Sequence, residues 1–136
     1  NFLPAIIFLI GCFLAFATGT SWGTFGILIP IVVAIFAETN ETLMIISISA
    51  CMAGAVCGDP CSPISDTTIM ASAGAQCDHV THVSTQLPYV ITAALVSFVT
   101  YIIAGFVQSA WIALPVGIGL MIVTLMVIKK KTENQE

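Results

Sequence analysis

Apolar residues form four long blocks along this chain, and short polar segments separate them. The blocks cover residues 2–37, 43–75, 87–107 and 111–128. A helix needs about 20 apolar residues to cross the hydrocarbon core of a bilayer, so the last two blocks each predict one uninterrupted spanning helix. The pattern predicts an all-α fold of transmembrane helices over residues 1–128, followed by a polar tail at residues 129–136.

The first two blocks are too long for one straight span, and each has a polar centre. The first is interrupted at Thr18–Thr24 and the second at Gly58–Asp66. Non-helical backbone at membrane depth is tolerated only where protein buries it or where it lines a water-filled cavity, and paired breaks of this kind indicate a transporter binding site. We therefore predict a re-entrant hairpin over residues 1–37 and a broken span over residues 43–75. One broken helix that crosses the bilayer is the alternative for the hairpin.

Composition strengthens the membrane interpretation and suggests an orientation. The chain is 58% hydrophobic and 7% charged, whereas soluble domains carry about 25% charged residues. Its only basic residues are Lys129–Lys131, which predicts a cytoplasmic C-terminus, and no nucleic acid is expected as a partner. The loop 76–86 would then be cytoplasmic and the loop 38–42 external. Because the chain starts at Asn1, we interpret it as part of a longer protein.

The first break supplies oxygen atoms that suit a hard cation such as Na⁺. Freed backbone carbonyls and a helix C-terminus would add negative partial charge there. The alternative is a Gly-x-x-x-Gly packing face whose hydroxyls bond to carbonyls one turn earlier in the helix. The candidate ligands in this break are Thr18, Thr20, Ser21 and Thr24.

The second break places two carboxylates between apolar runs. Pro60 and Pro63 remove two N–H donors and favour unwinding. Asp59 and Asp66 have no basic residue nearby in the sequence, and an unpaired acid at membrane depth indicates a functional site. Asp66 is also predicted to be the N-cap of the half-helix that follows. The hydroxyl candidates that accompany the two acids are Ser62, Ser65 and Thr67.

The segment after the second half-helix contains Cys77, His79 and His82. The spacing leaves open a metal site, a pH-sensing histidine pair, or a plain loop at the membrane interface, which the position favours. No disulfide framework is indicated by the five cysteines, which are odd in number and lie mostly in apolar runs.

The two breaks together resemble the NhaC-type sodium/proton antiporter family of the ion transporter superfamily. The similar stretches are Ala17–Gly26, Gly58–Thr68, Gly74–His79 and Thr85–Tyr89. The resemblance implies one of two inverted repeats, whose N-terminal counterpart would be a partner outside this chain. It also implies a location in the cell (inner) membrane and, by analogy with the superfamily, a homodimer.

The resemblance implies Na⁺/H⁺ exchange, in which Na⁺ and H⁺ are the transported ions. Membrane lipid would surround the chain, and no cofactor is expected. Coupled exchange of malate and lactate, as in some relatives, is the alternative, because half-helix N-termini could hold a carboxylate. A membrane enzyme using Cys77 and His79, or a structural subunit, is a third class. Adjacent loop residues rarely form a positioned nucleophile–base pair, so no enzyme activity is predicted.

Overall fold

The computed structural model of the chain describes residues 2–134, and the part that it describes is helical without strands. A single 3-10 turn, Asp59–Cys61, lies between the third and fourth helices. The helices are α1 Leu3–Thr18, α2 Ser21–Phe36, α3 Glu41–Gly58, α4 Asp66–Gly74, α5 His79–Val107 and α6 Ala110–Glu133.

The first three helices form a tightly packed unit around α3. A Cβ atom added to Gly54 would overlap the carbonyl oxygen of Phe8, and one added to Gly58 would overlap that of Cys12. Phe8 therefore lies beside Gly54, and Cys12 lies beside Gly58 one turn further along each helix. The two helices α1 and α3 thus run parallel, with their backbones in close contact. α2 lies between them in the chain and packs on both. The core of this unit consists of Ile7, Leu28, Val32, Phe36 and Cys51.

Three segments within residues 2–134 are long and apolar enough to cross a membrane, namely Glu41–Cys61, α5 and α6. α1 and α2 have 16 residues each, which gives a length of about 24 Å at 1.5 Å per residue and falls short of a core of about 30 Å. This length is compatible with the hairpin prediction, and the insertion of α1 and α2 as a re-entrant pair stays a prediction.

The polar segments turned out to be shorter than the sequence predicted. The prediction of a loop over residues 76–86 was wrong for most of its length, because α5 begins at His79. The side chain of Asp78 accepts a hydrogen bond from the Thr81 amide at 2.9 Å and so starts the helix within the polar segment. At the other end, α6 continues to Glu133, so the first residues of the expected tail are helical.

The last two helices are mostly exposed. α5 packs on α1, α3 and α6, and a Cβ added to Gly117 of α6 would lie 2.9 Å from Cγ2 of Thr100 on α5. Large apolar side chains are exposed along both helices, including Tyr89 and Trp111. Lipid or further protein is the environment that such a surface requires.

Candidate cation site

The first break in the helices is short and sharply defined. α1 ends where Gly19 adopts a left-handed conformation with φ 68°, and its amide bonds to the Ala15 carbonyl at 2.8 Å. α2 starts again at Ser21, so only Gly19 and Thr20 are non-helical. The expected interruption over Thr18–Thr24 is therefore much narrower than predicted.

Most hydroxyls of the first break are engaged with their own backbone. Thr18 donates to the Leu14 carbonyl at 2.8 Å, and Thr24, which is fully buried, donates to the Thr20 carbonyl at 2.9 Å. The Thr20 hydroxyl accepts from the Gly23 amide at 3.4 Å as the N-cap of α2. Bonds of this kind match the packing alternative for Thr18 and Thr24. Ser21 is half-buried beside them.

The second break extends from the 3-10 turn to the start of α4. The Ser62 amide donates to the Asp59 carbonyl at 3.0 Å, and the Ser65 amide donates to the Ser62 carbonyl at 3.3 Å. Because Pro60 and Pro63 have no amide hydrogen to give, the chain closes two short turns instead of continuing the α3 ladder. These turns return Ser65 and the first residues of α4 to the carboxyl group of Asp59.

Asp59 lies at the centre of a compact oxygen cluster. Its side chain is 6% exposed, and Oδ1 accepts a hydrogen bond from the Ser65 hydroxyl at 2.8 Å. The Thr67 hydroxyl donates to Oδ2 at 3.0 Å, and the two hydroxyl oxygens are 2.7 Å apart. Within residues 2–134, the only ion pair joins Lys129 to Glu133 at 3.8 Å. No basic side chain of the described chain therefore pairs with this buried carboxyl group.

When Asp59 is ionised, this cluster has one hydrogen atom fewer than its close oxygen–oxygen contacts require. Three oxygen–oxygen contacts have hydrogen-bond length, but the two hydroxyls supply only two hydrogens. A proton on one carboxyl oxygen completes a closed ring of three hydrogen bonds. Without that proton, two of the oxygens face each other with no hydrogen between them and repel each other. A cation bound among the same oxygens would also remove this repulsion. The geometry thus suits alternate binding of a proton and a cation.

The two breaks meet in the folded chain. A Cβ on Gly19 would lie 2.9 Å from both the Cγ1 and the carbonyl oxygen of Ile64. Ile64 directly precedes Ser65, so the end of α1 lies against the segment that closes on Asp59. No side-chain hydrogen bond joins the hydroxyls of the first break to Asp59 within the described residues. The breaks are in contact, while the side-chain cluster itself belongs to the second break.

Sequence comparisons identify the family of this chain. A profile of the Na⁺/H⁺ antiporter family matches residues 1–106. The chain belongs to the Na⁺/H⁺ antiporter family. It is therefore a membrane protein of a transporter family rather than of an enzyme family.

Three relatives show how far this similarity extends. A protein of Haemophilus influenzae described as uncharacterized is 49% identical over 131 residues, which cover 96% of this chain and 25% of the relative. The malate-2H⁺/Na⁺-lactate antiporter of Bacillus subtilis is 34% identical over 68% of this chain and 20% of its own length. An uncharacterized Na⁺/H⁺ antiporter of H. influenzae is 33% identical over 76% of this chain and 20% of its own length.

The chain spans a quarter or less of the length of these relatives. No solved structure matches it. The similarity therefore identifies the family of this segment and not the activity of a whole protein.

Ser62 adds an unsatisfied oxygen to the second break. Its side chain is fully buried, and its hydroxyl has no hydrogen-bond partner in the described chain. Buried hydroxyls of native proteins are generally hydrogen-bonded, so the Ser62 oxygen still has bonding capacity for a ligand. Since Ser62 lies in the turn that the Asp59 carbonyl closes, it can supply a further ligand to a cation there.

Asp66 does not join the cluster. It is the first residue of α4 and is exposed, while Ser65 occupies the N-cap position with its hydroxyl directed to Asp59. The prediction that Asp66 is the N-cap was therefore wrong. Its carboxylate lies in the first helical turn, where the helix dipole favours negative charge without a direct capping bond.

The first residue of α5 makes a contact that the sequence did not indicate. The His79 ring lies with Nδ1 2.9 Å from the Ser72 hydroxyl and Nε2 2.7 Å from the Pro63 carbonyl oxygen. It thus connects the start of α5 to the second break. Within residues 2–134 no group of three or more metal-binding side chains occurs, so the metal-site alternative for Cys77, His79 and His82 has no support there.

Asp78 is the charged residue next to this contact. The hydrogen bonds from the Thr81 amide and hydroxyl, both 2.9 Å long, lower the pKa of the Asp78 carboxyl group, and the nearby His79 lowers it further. The carboxylate therefore stays ionised at neutral pH and caps α5.

Proposed function

We propose that this chain forms the ion-binding part of a secondary transporter that exchanges Na⁺ for H⁺. The observation that carries the proposal is the cluster of Asp59, Ser65 and Thr67, in which three close oxygen contacts share two hydroxyl hydrogens. A buried acid without a basic partner inside a bilayer needs a proton or a cation to offset its charge.

Exchange follows if the two cargoes compete for the same oxygens. In one state a proton on Asp59 closes the hydrogen-bonded ring. When Na⁺ enters, the proton leaves, and the carboxylate, the two hydroxyls and Ser62 offer oxygen ligands to the ion. Release of Na⁺ on the other side of the membrane leaves the carboxylate free to take up a proton again. No nucleotide is needed, because the gradient of one ion drives the other.

Everted membrane vesicles test this proposal directly, using the transporter at its full natural length. Addition of Na⁺ should dissipate a proton gradient across vesicles with the wild-type protein, and Asp59→Asn should abolish the response. Asp78→Asn, which changes an exposed acid outside the spanning helices, is the matched control and should respond as wild type. An unchanged Na⁺ response in Asp59→Asn would disprove the assignment.

The finer family assignment and the architecture are part of the same proposal. The residues at the two breaks resemble the NhaC-type subgroup, which implies an inverted repeat elsewhere in the protein, a re-entrant α1–α2 hairpin and a homodimer. The cell membrane, with the C-terminus in the cytoplasm, is the location that the basic residues at the end of α6 favour.

Organic-acid exchange is the second candidate, because one relative is a malate-2H⁺/Na⁺-lactate antiporter. The N-terminal end of α2 could bind a carboxylate, since its first turn contains no acidic side chain. The N-terminal turn of α4 is less suitable, because Asp66 already occupies it. Uptake of labelled malate that depends on a Na⁺ gradient would favour this function, and Na⁺-driven proton movement without any organic acid would favour simple exchange.

A further inference from the structure

His79 bridges two parts of the chain that are distant in sequence. Its ring contacts the Ser72 hydroxyl on α4 at 2.9 Å and the Pro63 carbonyl in the second break at 2.7 Å. Pro63 lies between Ser62, whose buried hydroxyl lacks a partner, and Ser65, whose hydroxyl bonds to Asp59. The imidazole therefore anchors the segment that carries both hydroxyls, of which that of Ser65 bonds to the carboxyl group.

Hydrogen counting shows which form of the ring fits these contacts best. The Ser72 hydroxyl also lies 2.9 Å from the Ile69 carbonyl oxygen, which can only accept a hydrogen bond. If Ser72 donates to Ile69, Nδ1 must donate to Ser72, and Nε2 must donate to the Pro63 carbonyl. Only the doubly protonated ring has a hydrogen on both nitrogens, so only this form satisfies all three contacts.

We propose that His79 is a positioning residue for the cation site. Its ring holds the Pro63 carbonyl and thereby keeps the Ser65 hydroxyl directed at Asp59, and it holds this segment most firmly when both ring nitrogens carry a proton. The inference rests on the proposed function, because it assigns His79 a role in binding the same cation. It also makes cation affinity sensitive to pH through a residue outside the exchange site.

Several titratable groups lie on the elements packed around this ring. Those on α4 and the second break are Asp66, which is exposed, Asp59, which is bonded to Ser65 and Thr67, and Cys61, whose thiol donates to the Cys57 carbonyl at 3.6 Å. The loop contributes Cys77, whose sulfur contacts the Ser72 carbonyl at 3.7 Å, and Asp78. Of these groups, Asp78 is close enough for a charge on His79 to lower the pKa of the Asp78 carboxyl group.

The test measures the Na⁺ concentration for half-maximal exchange and the maximal rate separately, at about pH 5.5 and about pH 8.5, because histidine changes charge between these values. The variants are His79→Ala, His79→Gln and Ser72→Ala in the full-length transporter. His82→Gln is the matched control, because His82 is also half-buried on α5 and its ring has no hydrogen bond in the described chain. Each variant is compared with wild type at the same pH, which removes the common effect of proton competition at Asp59.

His79→Ala should raise the half-maximal Na⁺ concentration by about fivefold at the acidic pH, the equivalent of one hydrogen bond, and by less at the alkaline pH. His79→Gln keeps a donor near the Nε2 position and should resemble wild type at the alkaline pH only. Ser72→Ala leaves the bond to Pro63 and should give a smaller increase with the same pH dependence. It also keeps the test available if the His79 variants do not fold. His82→Gln should match wild type at both values.

Two results would overturn the inference. One is an unchanged half-maximal concentration in the His79 and Ser72 variants at both pH values. The other is a loss of maximal rate alone, without pH dependence, which would make His79 merely structural. If Asp59→Asn still abolishes exchange in either case, the proposed function stands and only the role of His79 is wrong. If Asp59→Asn exchanges normally, the proposed function itself is wrong.

Discussion

At the residue scale, Asp59 is surrounded by hydroxyl groups rather than by a basic side chain of the described residues, and these hydroxyls have too few hydrogen atoms for all of their contacts. The carboxyl group and the hydroxyls of Ser65 and Thr67 form three contacts of 2.7–3.0 Å with two hydroxyl hydrogens. By contrast, the hydroxyls of Thr18 and Thr24 already donate to carbonyls of their own segment. These two groups of hydroxyls should therefore contribute very differently to cation binding.

Replacing Thr67 by valine, which has nearly the same shape, tests this difference. Thr67→Val should raise the half-maximal Na⁺ concentration by about tenfold or more, because a hydrogen bond to a charged group contributes about 1.5–3 kcal/mol. Thr18→Val should change it by no more than about twofold, because that hydroxyl is used within its helix. Exchange assays in vesicles measure both values. Equal effects of the two substitutions would contradict the distinction.

Asp78 provides a pH-dependent prediction outside the membrane spans. Its pKa is lowered in the folded chain by the bonds from Thr81, so its contribution to stability is fully present above about pH 4, the ordinary pKa of aspartate. The contribution disappears as the pH falls through the lower pKa of the folded state.

We therefore expect Asp78→Ala to speed hydrogen exchange at the Thr81 amide at neutral pH relative to wild type. The difference should vanish in acid. Asp66→Ala is the control, because its side chain makes no capping bond, and it should not affect the amides of α5. An equal difference for Asp78→Ala at neutral and acidic pH would exclude the capping role.

At the element scale, close approach of helices α1 and α3 determines where the second break lies. Gly54 and Gly58 face the backbone of α1 at Phe8 and Cys12, and a side chain at either glycine would overlap a carbonyl oxygen. Gly58 is the last residue of α3 and directly precedes Asp59. The same contact that joins the two helices therefore also sets the depth of the carboxyl group.

Gly58→Ala should destabilise the protein by about 1–3 kcal/mol, the usual cost of overpacking. The overlapping atom belongs to the backbone of α1 and cannot rotate away. Gly26→Ala in α2 is the matched control, because a Cβ there meets nothing within 4 Å, and it should be neutral or slightly stabilising. Thermal unfolding of the full-length protein in detergent measures both. Equal stability of the two variants would show that α1 and α3 do not approach this closely.

At the scale of the whole molecule, the chain consists of a packed unit and two exposed helices. α1, α2 and α3 share one core, whereas α6 has a single buried residue, Ala113. An apolar surface of this extent requires lipid or the rest of the transporter around it. The basic residues near the end of α6 then indicate which side of the membrane that end faces.

Single-cysteine labelling tests this orientation. With the native cysteines replaced by alanine, Asn134→Cys should react with a membrane-impermeant maleimide in everted vesicles but not in intact cells. Glu38→Cys, in the loop between α2 and α3, should show the opposite pattern. Labelling of both positions from the same side would disprove the predicted topology.

Much of the fold could be predicted because bilayer thickness and hydrogen bonding constrain apolar sequences strongly. The four apolar blocks indicated the membrane-spanning character, and the polar centres of the first two indicated breaks, which the structure has at Gly19–Thr20 and from Asp59 to Ser65. Exact boundaries were less predictable. Asp78 starts α5 within a polar segment that hydropathy alone assigned to a loop.

The sequence by itself determined that Asp59 lies between apolar runs with no Lys or Arg near it along this chain, because that follows from composition and position alone. Only the tertiary structure decided which hydroxyls reach Asp59, since Ser65 and Thr67 approach it through two turns whose closure depends on long-range packing. No local pattern in the sequence predicts the contact of His79 with Pro63, which lies 16 residues earlier. Contacts between residues so far apart depend on how the helices pack, and packing is a property of the whole chain.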